Sequence, residues 1–210
     1  TERDSSLRRA AMRWEYLAFD AVVLLPVLVL SLRRSTFFLP RWPAAFAALT
    51  LTAIPFLVWD GVVTGRHWWF NERSLLGPKL GPLPIEEVLF FVAMPFACLF
   101  SWRTLFWKPE TTKLPVVVVV PWLLLLPLGI AGWRLGWPEY TALAIGAVGL
   151  AAFVDLVLGG GLLRTPRFLA FLVFVLVLTA GFNGYLTWRP IVQYDPRYQL
   201  DLRIITTPIE

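Results

Sequence analysis

The sequence predicts an all-α, polytopic membrane protein, and three observations carry that prediction. The 210 residues are 58% hydrophobic and only 16% charged, against roughly 25% charged for soluble chains. The apolar residues gather into runs of the length that crosses a bilayer, about 20 residues for about 30 Å of hydrocarbon. The 19 basic residues stand at the ends of those runs rather than in one stripe, which is the pattern of interfacial anchors and topology signals, not of a nucleic-acid surface. The formal net charge of +5 therefore does not point to nucleic acid. A cytosolic enzyme, a disordered tail and a disulfide-stapled secreted module are excluded together. Cys98, the single cysteine, cannot form an internal bridge.

Six spans are expected. The first covers Trp14 to Leu32 between Arg13 and Arg33, the second Pro43 to Val63, and the third Ile85 to Trp107. The fourth runs from Leu114 to Ala131, the fifth from Tyr140 to Leu158 and the sixth from Phe168 to Leu186. Backbone polar groups in lipid must be bonded internally, so these are helices. The valine run Val116–Val120 would favour β-structure in water, and the membrane overrides it. The first span lacks a small-residue cleavage site and is read as retained. Two polar loops, Gly65 to Pro84 and Trp188 to Pro208, follow spans two and six. Placing the N-terminus, both loops and the turn after span four on one side gathers 11 Lys/Arg there against 8 opposite, which favours a cytoplasmic N-terminus.

Sliding the chain by 124 positions aligns Pro84-Ile85-Glu86 with Pro208-Ile209-Glu210 and Glu15-Tyr16 with Glu139-Tyr140. The same register pairs Arg73 with Arg197 and Leu76 with Leu200. The expected organisation is a first repeat over residues 1–112 (spans one to three), a linker span within 113–137, and a second repeat over 138–210. One connecting span lets a three-span unit recur in the same orientation, so the repeats are expected to be parallel, in a 3+1+3 order. A seventh helix is expected to begin at Pro208, with only Ile209 and Glu210 following it, as in a trimmed chain.

Ionisable groups in membrane spans are candidates for function. Asp20, Asp60 and Asp155 lie within or at the ends of apolar runs, while Glu86 and Glu87 open the third span after Pro84. Proline and acidic residues also suit an ordinary helix start. Two features favour chemistry: the Pro-x-Glu motif occurs twice at matching positions, and each copy follows a loop rich in aromatic and hydrogen-bonding residues. Asp20 and Asp155 read as packing or helix-end residues, and His67, the only histidine, as a loop residue outside the chemistry.

On Trp59-Asp60, Phe70-Asn71 and Pro84-Ile85-Glu86-Glu87 followed by Leu89-Phe90-Phe91, the chain resembles the membrane lycopene cyclases of the heterodimeric or fused type. These occur in some bacteria and archaea and as the cyclase half of fungal bifunctional carotenoid proteins. In the second half the resemblance rests on Asn183-Gly184, Trp188-Arg189-Pro190, Tyr194 and Arg203-Ile204 through Pro208-Ile209-Glu210. It spans nearly the whole chain. It implies a multi-pass protein of the cell membrane that closes the acyclic ends of lycopene into β-ionone rings. Its implied partners are lycopene or a related acyclic carotenoid, the lipid bilayer and other carotenoid-pathway enzymes, without nucleic acid.

The implied reaction is an isomerisation with three needs. A carboxylic acid must protonate a terminal double bond. Removal from water and an adjacent carboxylate both penalise the charged form, against the opposing helix terminus; Glu86 and Glu87 meet both conditions. Successive helix residues point about 100° apart, so one of them is expected to face substrate, and Glu86 is favoured because Glu210 repeats it. The cation needs aromatic faces that offer no nucleophile, for which Trp59, Trp68, Phe70 and Tyr194 are candidates. A weak base must remove a ring proton, a role open to Asp60, Glu87 or the spent donor. Asn71 and Asn183 are expected either to orient the acid or to cap structure.

No cofactor is expected. The reaction is redox-neutral, Gly159-Gly160-Gly161 does not fit a strand–GxGxxG–helix, and no His/Cys cluster suits a metal. A prenyltransferase would need paired aspartates and an opsin a lysine inside a late span, and neither pattern occurs. Cyclisation of longer C50 carotenoids, a structural carotenoid-binding protein and a small-solute transporter built from parallel three-helix repeats are the alternatives.

Overall fold

The computed structural model describes residues 13–108, 113–204 and 206–210. The outer ends of the expected first repeat, 1–12 and 109–112, lie outside the described residues, as do Arg3, Arg8 and Arg9 of the orientation count. Among the described residues, six α-helices carry the fold: α1 Glu15–Ser31, α2 Trp42–Val63, α3 Ile85–Ser101, α4 Val120–Arg134, α5 Glu139–Val157 and α6 Pro166–Trp188. A π-type turn, Trp102–Phe106, extends α3, and a 3₁₀ turn, Val116–Val119, leads into α4. The valine run is thus helical, as the lack of competing hydrogen bonds in lipid requires. Prolines at 26, 55, 95 and 127 sit inside helices, a placement membrane helices tolerate.

Among the described residues, five helical stretches are long and apolar enough to cross a membrane: Leu39–Val63, Ile85–Phe106, Val116–Arg134, Glu139–Val157 and Pro166–Trp188. The protein is an all-α polytopic membrane protein. The expected first span is shorter than the others. At 17 residues and 1.5 Å per residue, α1 reaches only about 25 Å.

Both long loops contain short antiparallel hairpins that their Gly- and Pro-rich composition did not reveal. In the first, β1 Trp68–Phe70 is followed by β2 Lys79–Leu80 and β3 Leu83–Pro84; in the second, β4 Val192–Tyr194 is followed by β5 Arg203–Ile204 and β6 Thr207–Pro208. Lys79 faces Pro84 and Leu80 faces Leu83 in one hairpin, Arg203 faces Pro208 and Ile204 faces Thr207 in the other. Each pair is the other shifted by 124 positions.

The chain forms two compact units. One is built on the chain up to Leu105 together with Arg189–Gln193, the other on Phe106–Trp188 and Tyr194–Glu210. In the first, α3 packs against α1 and α2, over a core of Phe38, Ala45, Leu49, Phe96 and Phe100. Phe38 meets Phe96 and Phe100 edge-on, at ring separations of 5.7 and 5.3 Å. The 189–193 segment is held there by the Arg189–Glu15 ion pair, by Asn71 N–H donating to Ile191 O at 2.9 Å, and by Trp69 Nε1 donating to Gln193 at 3.0 Å.

In the second unit α4 and α5 make the largest helix contact, and glycine makes it possible. A Cβ on Gly149 would lie 2.1 Å from Leu126 N, and one on Gly129 would lie 2.6 Å from Gly146 N. Close approach at small residues is the usual means of helix association in lipid, where no hydrophobic force drives it. Val119, Ala152 and Leu163 form the adjoining core.

Candidate active site

In the first unit the loop between β1 and α3 brings four carboxyl groups to one end of three helices. Asp20 comes from the second turn of α1, Asp60 from the last turn of α2, and Glu86 and Glu87 from the first turn of α3. All four are buried, with exposures of 3, 1, 0 and 9% respectively. Pro84 in an extended conformation precedes Ile85 and starts α3 without spending a backbone N–H.

Each carboxyl has distinct company. Glu86 Oε1 accepts the backbone N–H of Leu76 at 2.6 Å, whereas its Oε2 is buried without a hydrogen-bond partner. Glu87 accepts the Tyr16 hydroxyl. Asp60 Oδ1 accepts Trp68 Nε1 at 2.9 Å and Thr64 Oγ1 at 3.1 Å. Asp60 and Glu87 are close neighbours, and the second Asp60 oxygen, Oδ2, is buried without a hydrogen-bond partner. Asp20 interacts electrostatically with Glu86 and Glu87, and neither of its oxygens has a hydrogen-bond partner.

Aromatic side chains pack around the cluster. Tyr16 stacks on Phe70 with ring centres 6.4 Å apart. His67 is fully buried, edge-on to Trp59 at 5.7 Å and to Trp68 at 6.0 Å. Asn71 Oδ1 accepts Arg73 N–H at 3.1 Å and caps the 3₁₀ turn Glu72–Ser74. Its side chain therefore shapes the loop.

The second unit repeats much of this internally. Leu200 N–H donates to Glu210 Oε1 at 2.7 Å, and Glu210 Oε2 is buried without a partner. Tyr140 stacks on Tyr194 at 6.5 Å, and Asp195 caps Pro196–Tyr198 through Arg197 N–H. Each is the first unit's feature moved by 124 residues: Leu76–Glu86, Tyr16–Phe70 and Asn71–Arg73. Thr141 Oγ1 adds a bond to Glu210 at 2.7 Å. A cavity of about 280 Å³ opens here, with Tyr140, Leu176, Asn183, Tyr194, Ile209 and Glu210 among its lining.

A duplicated acid, buried in the first unit and half-buried in the second, held at one oxygen beside an aromatic stack, suits proton donation to an apolar substrate. A family model described as lycopene cyclase matches residues 14–105 and 138–210. The chain belongs to the lycopene cyclase family. It is a carotenoid cyclase, and its substrate is a carotenoid. Neither the curated proteins nor the solved structures give a match to it.

Of the residues expected at the cyclase's site, Asp60, Glu86, Glu87, Trp68 and Phe70 gather in the first unit, with Trp59 packed on His67. Glu210, Asn183 and Tyr194 meet at the second unit's cavity. Trp68 presents its indole N–H to Asp60. Two residues escaped the reading of the sequence. Tyr16 carried a signal, because Glu15-Tyr16 recurs as Glu139-Tyr140. Asp20, read as a packing or helix-end residue, is buried and interacts electrostatically with Glu86 and Glu87. Asp155 is the helix-end residue expected of it, accepting Leu162 N–H at 3.0 Å and Leu163 N–H at 3.2 Å.

Proposed function

We propose that this cyclase closes the ψ-ends of lycopene to β-ionone rings by proton-initiated, redox-neutral isomerisation, in the cell membrane. One observation carries the reading: Glu86 and Glu210 each have one carboxyl oxygen fixed by a backbone N–H ten residues upstream and the other buried without a partner. In a protonated acid so held, the anchored oxygen is the carbonyl and the open one carries the hydrogen. The transferable proton thus has a defined direction.

Glu86 gives its proton to the terminal double bond and becomes a carboxylate. The neighbouring alkene attacks the cation and closes the ring, and a ring proton then leaves to the Asp60–Glu87 pair. One proton enters and one departs, so substrate and product are isomers and no electron acceptor is consumed. Aromatic faces stabilise a desolvated cation by about 2 kcal/mol or more, the role assigned to Trp59, Phe70 and Tyr194. Trp68 keeps Asp60 in place. Glu210 is the acid of the second unit, where Asn183 and Tyr194 receive a polyene end. A cavity of about 280 Å³ stands at the lower edge of small-molecule sites, about 300 to 1,000 Å³, and suits one end of a long polyene. The recurring geometry supports a division into two repeats, 1–112 and 138–210, joined by the span within 113–137.

Expression of the chain in a lycopene-accumulating host tests the reading. Pigment extracts are expected to contain γ-carotene and β-carotene. Cyclic C50 products in a host supplying the longer precursor would reassign the substrate. Unchanged lycopene together with solute uptake would replace the cyclase reading by the transporter.

A further inference from the structure

The cyclisation leaves its two protons in the wrong places. After one ring has formed, Glu86 lacks the proton it gave, and the Asp60–Glu87 pair holds one more than before. The next turnover requires that proton to return to Glu86. The groups concerned are almost wholly removed from solvent: Glu86 is 0% and Asp60 1% exposed. A route through bulk water would need an opening at both.

Asp20 is placed for the return. It sits one helical turn after Tyr16, so both side chains leave the same face of α1. Tyr16 on that face donates to Glu87, and Asp20 is within electrostatic reach of both Glu86 and Glu87. Its own two oxygens are buried without a hydrogen-bond partner, so both are open to accept. A buried carboxyl left unsatisfied is costly and is not retained for packing. The second unit shows that the helix does not need it, because the position 124 residues on is Ala144.

We infer that Asp20 is the proton-return residue of the first unit, taking the ring-derived proton from the Asp60–Glu87 pair and passing it to Glu86. The inference rests on the cyclase roles given above. The balance is closed: Glu87 loses the proton that Asp20 gains, and Asp20 then loses it to the Glu86 carboxylate, with no change of oxidation state. Asp20 acts through Glu86 and is a positioning residue, not a group that touches the polyene.

The test uses the purified full chain in proteoliposomes carrying lycopene, in H₂O and in D₂O. Asp20→Asn keeps size and polarity but cannot accept and return a proton; Asp20→Ala is the replacement the second unit already accommodates at Ala144. For both, kcat is expected to fall by roughly tenfold or more, with KM within about twofold and a larger solvent deuterium effect on kcat, because reloading becomes slow. Asp20→Glu should restore part of the rate. Wild-type rates in Asn and Ala variants overturn the inference, as does a loss that falls on KM with an unchanged isotope effect. A wild-type chain that forms no ring overturns the cyclase roles themselves, and the inference with them.

Discussion

Tyr16 donates its phenolic hydrogen to Glu87 from 71 residues away in sequence, tying the first turn of α1 to the first turn of α3. Both side chains are buried, so the bond is made where water cannot replace it. Tyr16→Phe should lower the stability of the detergent-solubilised protein by about 1–3 kcal/mol, the cost of stranding a buried acceptor. Thermal unfolding would measure it, and an unchanged midpoint would refute the bond's importance.

The loop turn capped by Asn71 leads directly to Leu76, whose N–H holds Glu86. Removing a cap costs about 1 kcal/mol. Asn71→Ala should reduce both stability and ring formation, whereas Asn71→Asp should be tolerated, because Asp195 already caps the corresponding turn. Parallel pigment and unfolding assays of the two variants check this.

How much was legible in advance depended on the kind of signal. Helix type followed from the length of apolar runs, and the matching loop hydrogen bonds of Glu86 and Glu210 fall at the offset that Pro-Ile-Glu marks. Which side of a helix faces its neighbours was not legible, because a helix apolar all round has no polar face to mark the other. The neighbours of Asp20 were not legible for that reason. The Asp60–Glu87 contact joins two helices, and no spacing within either one encodes it.

In the second unit, Gly149 faces backbone atoms of α4 at a distance that leaves no room for a methyl group. Gly149→Ala should destabilise the protein by about 1–3 kcal/mol, the usual cost of overpacking. Gly181→Ala is the control, since a Cβ there meets nothing within 4 Å. A lower thermal midpoint for the first and not the second is expected.

Tyr194 lines the second unit's cavity and stacks on Tyr140. Tyr194→Phe keeps the ring face, whereas Tyr194→Ala removes it. The Phe variant should retain ring formation and the Ala variant lose about tenfold or more, if a desolvated aromatic face contributes about 2 kcal/mol. Initial rates with lycopene in proteoliposomes would separate them.

The most direct measurement is the pigment profile of Glu86→Gln in a lycopene-accumulating host, with the amount of membrane-inserted protein measured alongside. Glutamine keeps the oxygen that accepts from Leu76 N–H and removes only the transferable proton, so the protein should remain in the membrane. The account predicts a loss of about 100-fold or more in cyclic carotenoid, the contribution of a positioned acid. Cyclic product at the wild-type level from that variant would contradict it.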